Sequence, residues 1–160
     1  ITSSEGYENY MNFIELAEKN DKMYYQNADQ ALVHLTAALS TVTEKYGLTD
    51  DMETEAARQK MLETAQAVTN NWTASGYPEQ LREATIAMMD VLYDIQGTVY
   101  PGLADEVAQV QQLATAITTT KPVARQKEQL KAFFEENAAI LREMSIREPT
   151  LKTDTYSLNQ

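Results

Sequence analysis

Apolar side chains recur every three or four positions through most of this chain. One series is Leu32, Leu35, Leu39, Val42 and Tyr46, and another is Leu103, Val107, Val110, Ala114 and Ile117. This spacing places each series on one face of an α-helix, the pattern expected of helices that pack side by side. The periodicity therefore predicts an all-α fold.

The first predicted helix opens near Ser3 or Ser4 and ends at Tyr46, before Gly47. Its apolar pattern thins near Asn20 and again near Asp29, which leaves two alternatives, one long helix or two pieces. Because neither gap contains glycine or proline, the pattern favours a continuous helix of about 40 residues, about 60 Å long at 1.5 Å per residue. Gly47 supplies the C-terminal stop.

Four further helices follow. They run from Thr49 to Asn70, from Pro78 to about Val99, from Leu103 to Thr118 and from Pro122 to about Met144. In the second helix, Thr49 is the expected N-cap. The expected buried face of that helix comprises Met52, Ala56, Met61, Ala65, Val68 and Trp72. Pro101 either breaks the chain or only kinks it, and a kink would join the third and fourth helices into a second long rod.

The connections between these helices are short, and short connections place successive helices antiparallel to one another. The sequence thus predicts an antiparallel up-down bundle of four to five helices. We expect one domain over residues 1–149 and a flexible C-terminal tail over 150–160, where the apolar period stops.

The charge balance narrows the range of partners. The formal net charge is −11, which repels nucleic acid and anionic membrane surfaces. No apolar run approaches the roughly 20 residues that a membrane-spanning helix needs. The expected partner is a protein or a small molecule, and a homo-oligomer is an alternative. The absence of cysteine fits an exported and a cytosolic protein equally, whereas a surface rich in Thr, Asn, Gln and Tyr and modest in Lys favours export to a periplasmic or extracellular location, with the cytoplasm as the alternative.

His34 is the single histidine, and it lies close to the apolar face of the first helix. Helical bundles can hold haem between a histidine and a methionine, and seven methionines are present. The chain has no Cys-x-x-Cys-His sequence for covalent haem attachment. A lone histidine beside a core is more often packed or solvated. A haem- or small-cofactor-binding bundle that uses His34 is therefore the alternative function.

Other catalytic chemistry finds little support in the sequence. Without Glu-x-x-His pairs the chain lacks the ligands of a bundle di-iron site. The acidic run from Asp50 to Glu55 lacks the spacing of a calcium loop and is explained by helix capping. Neither Gly-x-Ser-x-Gly nor a glycine-rich phosphate loop occurs. We therefore predict no catalytic residue, metal site or cofactor, and keep an enzyme using carboxylates alone as a weaker alternative.

Trp72 and Tyr77 form the candidate interaction surface. They flank a predicted turn, and tryptophan and tyrosine are enriched at binding hot spots. The competing interpretation is that Trp72 covers the end of the bundle and that tyrosines edge its core. The leading hypothesis is a non-enzymatic exported protein that acts as a structural or ligand-sensing interaction module.

Overall fold

The computed structural model describes residues 5–151, and all regular structure within them is helical. The α-helices are α1 (Glu5–Lys19), α2 (Met23–Gln26), α3 (Ala28–Lys45), α4 (Met52–Ala67), α5 (Tyr77–Val99), α6 (Ala104–Thr115) and α7 (Lys127–Ile146). Three short 3-10 helices, Leu48–Asp50, Pro101–Leu103 and Val123–Gln126, lie in the connections before α4, α6 and α7. The predicted all-α bundle is confirmed.

The continuous first helix is wrong, because the predicted segment folds back on itself as α1, α2 and α3. A Cβ atom on Gly6 would lie 2.7 Å from the backbone nitrogen of Ala38 and 2.8 Å from the Cβ of Ala37. In one straight helix Gly6 and Ala38 would be about 48 Å apart. The start of α1 therefore packs against the second half of α3, and the two helices are antiparallel.

The break between α1 and α3 occurs without glycine or proline. The backbone N–H of Asn20 ends α1 by donating to the carbonyls of Leu16 and Ala17, at 3.1 and 3.2 Å. Asn27 then leaves the helical region with φ −125° and ψ 26°. Asparagine and aspartate side chains compete for backbone hydrogen bonds and so weaken helix interiors. Two such clusters flank α2, and packing of α1 on α3 stabilises the reversal.

Of the two alternatives at Pro101, the structure shows the break, so α5 and α6 are separate helices and do not form a second long rod. Arg82, near the start of α5, donates from Nη1 to the carbonyl of Thr115 at 2.9 Å and also to the carbonyl of Ile117. Thr115 is the last residue of α6. The start of α5 thus lies beside the end of α6, and the 3-10 turn at Pro101–Leu103 reverses the direction of the chain.

The first and last helices meet across the bundle. The buried hydroxyl of Tyr10 on α1 donates to the backbone carbonyl of Phe134 on α7 at 2.6 Å. Helix α3 contacts α1, α4 and α5, and α6 contacts α5 and α7. The largest side chains of the resulting core are Tyr10, Tyr24, Tyr77, Phe133 and Phe134. One continuous apolar core therefore holds the described chain together.

The buried face of α4 differs from the predicted one. Met61, Ala65 and Val68 are buried as expected, whereas Met52 is 86% exposed and Ala56 is exposed too. Ala56 and Met61 are five positions apart, a rotation of about 140° around the helix, so they cannot share a face. The N-cap is Asp51 rather than Thr49, since its carboxylate accepts the backbone N–H of Thr54 at 3.0 Å.

Tyr24 fastens the short helix α2 to α7. Its ring is fully buried, and its hydroxyl donates to Oε2 of Glu135 at 2.7 Å. Burial, together with this hydrogen bond and the negative charge of Glu135, raises the pKa of Tyr24 well above its usual value. The phenol therefore stays protonated and remains a hydrogen-bond donor throughout the ordinary pH range.

We expect Tyr24→Phe to lower the free energy of unfolding by about 1.5 kcal/mol, because a hydrogen bond to a charged acceptor is lost. Urea unfolding followed by circular dichroism measures the change. Tyr93→Phe is the control, since Tyr93 is 58% exposed on α5 and its substitution should change stability by less than about 0.5 kcal/mol. Equal effects of the two substitutions would contradict the proposed role of the hydrogen bond.

The chain after α7 returns to the end of α5. The backbone N–H of Thr150 donates to the carbonyl of Val99 at 2.8 Å. The predicted tail over 150–160 thus begins at a residue that is held to the bundle, and its remainder from 152 lies outside the described residues. Across residues 5–151, none of the helices combines the length and apolar character needed to span a membrane.

Candidate functional site

A cleft of about 350 Å³ opens between the loop that joins α4 to α5 and the loop that follows α6. Its lining residues are Trp72, Thr73, Ala74, Ser75 and Pro78 on one side and Thr119, Thr120, Lys121 and Pro122 on the other. We call this site the Trp72 cleft. It contains one large aromatic ring, several hydroxyl groups and one charged side chain.

The first wall of the Trp72 cleft is fixed by aromatic packing and local hydrogen bonds. The half-buried indole of Trp72 meets the ring of Tyr25 edge to face, with centroids 5.2 Å apart and an interplanar angle of 68°. The hydroxyl of Thr73 donates to Oδ1 of Asn71 at 2.8 Å. Gln80 on α5 accepts the backbone N–H of Thr69 at 3.3 Å. The loop that carries Trp72 is therefore anchored to α2 and α5.

The second wall is fixed by Gln126, which is 1% exposed. Its Oε1 accepts the backbone N–H of Thr118 at 2.8 Å. Its Nε2 donates to the carbonyl of Thr118 at 2.9 Å and to that of Lys121 at 2.7 Å. Only this amide orientation fits, because a flipped amide would set two donors against each other. One buried side chain thus holds both ends of the segment 118–121.

The structure separates the two residues of the predicted interaction surface. Trp72 lines the cleft, whereas Tyr77 is 1% exposed and belongs to the core. The Tyr77 hydroxyl lies close to Asp29, and burial raises the pKa of this tyrosine well above its usual value. The neighbouring Pro78 reaches the cleft instead. The interaction surface remains a prediction that now rests on Trp72.

The opposite end of α5 contains a larger acidic cleft of about 580 Å³. Three carboxylates line it, from Asp50, Asp51 and Asp94. Asp51 is committed to capping α4, and the Thr54 hydroxyl donates to the same carboxylate at 3.0 Å. No group of three or more acidic or histidine side chains within residues 5–151 is arranged to hold a metal ion. Helix capping thus accounts for one of the three carboxylates, that of Asp51.

Burial raises the pKa of Asp94 above its usual value, and the nearby carboxylates of Asp51 and Asp90 raise it further, while a hydrogen bond with Thr54 opposes the shift. A raised pKa in the folded state means that the folded protein binds this proton more tightly than the unfolded chain. The ionised carboxylate therefore lowers stability above that pKa, and the penalty disappears as the pH falls through it.

We expect Asp94→Asn to raise the free energy of unfolding at neutral pH by less than about 1 kcal/mol, since solvent screens part of the interaction. The gain should shrink as the pH falls, which thermal unfolding at a series of pH values measures. Glu63→Gln on α4 is the control, because Glu63 is exposed. A loss of stability in Asp94→Asn at neutral pH would show that the carboxylate is required in its ionised form.

His34 lies half-buried at a surface groove of about 360 Å³. The groove is lined by Asp29, Gln30, Val33, Ala65, Gln66 and Val68 in addition to His34. None of these residues is a methionine, and the haem-binding alternative stays a prediction. Burial alone lowers the pKa of His34, and no carboxylate contributes to the shift.

Sequence reasoning missed Gln126 and the threonine-rich wall of the Trp72 cleft. The stretch Thr118-Thr119-Thr120-Lys121-Pro122 indicates a loop, but nothing local shows that it faces Trp72. That juxtaposition results from the reversal at Pro101, which brings the end of α6 back to the start of α5. The chain matches no family model, and no curated protein or solved structure is significantly similar to it.

Proposed function

We propose that this protein is a non-enzymatic binding module whose ligand site is the Trp72 cleft. The observation that carries the proposal is the hydrogen bonding of Gln126, which fixes the segment 118–121 through three bonds from a buried side chain. Surface loops are usually mobile, and ordering them when a ligand binds reduces affinity. A loop that is already fixed around a cavity avoids that loss.

The lining of the cleft favours binding over catalysis. Lys121 is its single ionisable residue among those described, so no carboxylate or imidazole stands beside the hydroxyl groups to activate one as a nucleophile. The aromatic ring of Trp72 provides contact area with little loss of side-chain entropy. We retain the proposals that the protein is exported and that its partner is a protein or small molecule.

A fragment screen by NMR tests the site. We expect small aromatic and amide fragments to shift the backbone amide resonances of residues 72–75 and 118–121 in the ¹⁵N-labelled protein. Few sites on a protein bind such fragments, and preformed concave ones with an aromatic wall are favoured. Fragments that bind only at the acidic cleft or the His34 groove, or nowhere, would contradict the proposal.

Two variants distinguish specific binding in the cleft from nonspecific binding to exposed aromatic residues. Trp72→Ala should abolish fragment binding at the cleft, and its circular dichroism spectrum shows whether the helices persist. Tyr93→Ala is the matched control, because Tyr93 is an exposed aromatic residue on α5 outside the cleft lining. Fragment binding should survive in Tyr93→Ala. Loss of binding in both variants would indicate nonspecific contact with aromatic residues.

A further inference from the structure

The Trp72 cleft combines one aromatic ring with several hydroxyl groups. Four residues of its lining carry hydroxyls, namely Thr73, Ser75, Thr119 and Thr120. Resting on the proposed function, we propose that the ligand is a neutral carbohydrate whose pyranose ring stacks on Trp72. A pyranose has an apolar C–H face and a rim of hydroxyl groups, which matches a ring surrounded by hydroxyls.

The stacking surface is held in place before any ligand arrives. Trp72 packs edge to face on Tyr25 and at the same time lines the cleft. The face of an aromatic ring carries partial negative charge, so it attracts the partially positive C–H groups of a sugar. Because the indole is half-buried and contacts Tyr25, its side chain is already restricted and loses less conformational entropy when a ligand binds.

The hydroxyl groups of the lining fit a polar ligand better than an apolar one. Each Ser or Thr hydroxyl both donates and accepts, as each sugar hydroxyl does. Thr73 already donates its proton to Asn71, so its oxygen is free to accept from a ligand. An apolar peptide side chain in this cleft would remove such groups from water without replacing their hydrogen bonds, which costs binding energy.

Charge and size define the carbohydrate further. The protein carries a net charge of −11, and Lys121 is the one ionisable residue of the described lining. A polyanionic glycan would therefore be repelled overall, whereas a neutral sugar is not, and the Lys121 ammonium can donate to its oxygens. The cleft volume of about 350 Å³ lies near the small end of ligand sites, which suits one or two rings.

The test uses Trp72 as its own reporter, because it is the single tryptophan of the chain. The full chain is titrated with cellobiose, maltose, lactose and N,N′-diacetylchitobiose while the tryptophan emission is recorded. We expect a saturable change in emission with at least one of them. Decaproline serves as the alternative, peptide probe. Trp72 lines the cleft together with Pro78 and Pro122, and aromatic-lined grooves also bind proline-rich peptides.

The variants are followed by saturation-transfer NMR, which does not need tryptophan. Trp72→Ala should weaken sugar binding about tenfold or more, and Trp72→Phe should retain part of it. Thr119→Val removes one lining hydroxyl at nearly constant volume and should weaken binding severalfold, whereas Thr120→Val would also break the 2.7 Å hydrogen bond between the Thr118 and Thr120 hydroxyls. Tyr93→Ala should bind the sugar as the parent protein does. Together these results would support a stacked sugar within the cleft.

Each contrary outcome has a distinct meaning. If aromatic fragments or decaproline bind the cleft but no sugar does, the carbohydrate proposal is overturned while the binding-module proposal stands. If no probe of any kind binds there, both proposals fail. Sugar binding that persists undiminished in Trp72→Ala would overturn the placement of the sugar on the indole.

Discussion

Gln126→Glu is expected to lower the free energy of unfolding by about 3–5 kcal/mol at neutral pH, the cost typical of an uncompensated buried charge. The substitution keeps the size of the side chain and the acceptor for the Thr118 N–H. It replaces both Nε2 donors with a carboxylate oxygen facing the carbonyls of Thr118 and Lys121, which now lie 2.9 and 2.7 Å from the amide nitrogen. Repulsion between the carboxylate and the two carbonyl oxygens would replace two hydrogen bonds, and the site is too buried for water to screen it.

The same substitution should make stability depend on pH with a defined sign. Burial and the two carbonyls would hold the pKa of the introduced carboxyl above the ordinary glutamate value of about 4.3. The folded state would then bind the proton more tightly than the unfolded chain, so the loss of stability is greatest above the folded-state pKa and shrinks as the pH falls through it. Urea unfolding at a series of pH values measures this.

Gln112→Glu on α6 is the matched control, because Gln112 is exposed and its carboxylate would remain solvated. Its effect should stay within about 0.5 kcal/mol at all pH values. If the two substitutions behave alike, Gln126 does not hold the loop in the way the hydrogen bonds indicate. The proposed function would then lose its support as well, because it depends on a segment 118–121 that is fixed before the ligand binds.

Gly6→Ala is the second large expected effect, a loss of about 1–3 kcal/mol from overpacking. The added methyl group would lie 2.7 Å from the backbone nitrogen of Ala38 and 2.9 Å from the carbonyl carbon of Ala37. These are backbone atoms, so relief requires α1 to move away from α3. The gain of about 1 kcal/mol that alanine usually brings inside a helix is too small to offset this.

Gly97→Ala is the matched substitution for which we expect a change of opposite sign in the free energy of unfolding. A Cβ on Gly97 of α5 would meet no atom within 4 Å, and the residue is exposed. We therefore expect it to raise the free energy of unfolding by up to about 1 kcal/mol. Thermal unfolding of both variants compares them directly. Stabilisation by both substitutions would show that α1 and α3 are not in close contact at Gly6.

The helices after Gly47 could be predicted because several of their boundaries are marked locally. Gly47 adopts the left-handed conformation with φ 68° that ends a helix, and Pro78 lies in the first turn of α5. The reversal near Asn20 has no such mark. It depends on the fit of Gly6 against Ala37, a contact between residues distant in sequence that no local pattern reveals.

The candidate site could be predicted only at residues whose type alone indicates a binding surface. Trp72 could be singled out because a tryptophan beside a turn is informative by itself. Tyr77 shares that signal but faces the core from the first turn of α5. Gln126 has no signal, since a glutamine in an amphipathic segment resembles an ordinary solvated residue. Its importance arises from the shape of the loop around it, which exists only after the helices have packed.

The contact between Tyr10 and Phe134 spans 124 positions of sequence. During synthesis on the ribosome, α1 emerges before α7, and this part of its surface stays uncovered until α7 follows. A nascent chain that extends only as far as α6 therefore exposes aromatic surface to the cell. A pause in translation before α7 would prolong the period in which chaperones can engage this exposed surface.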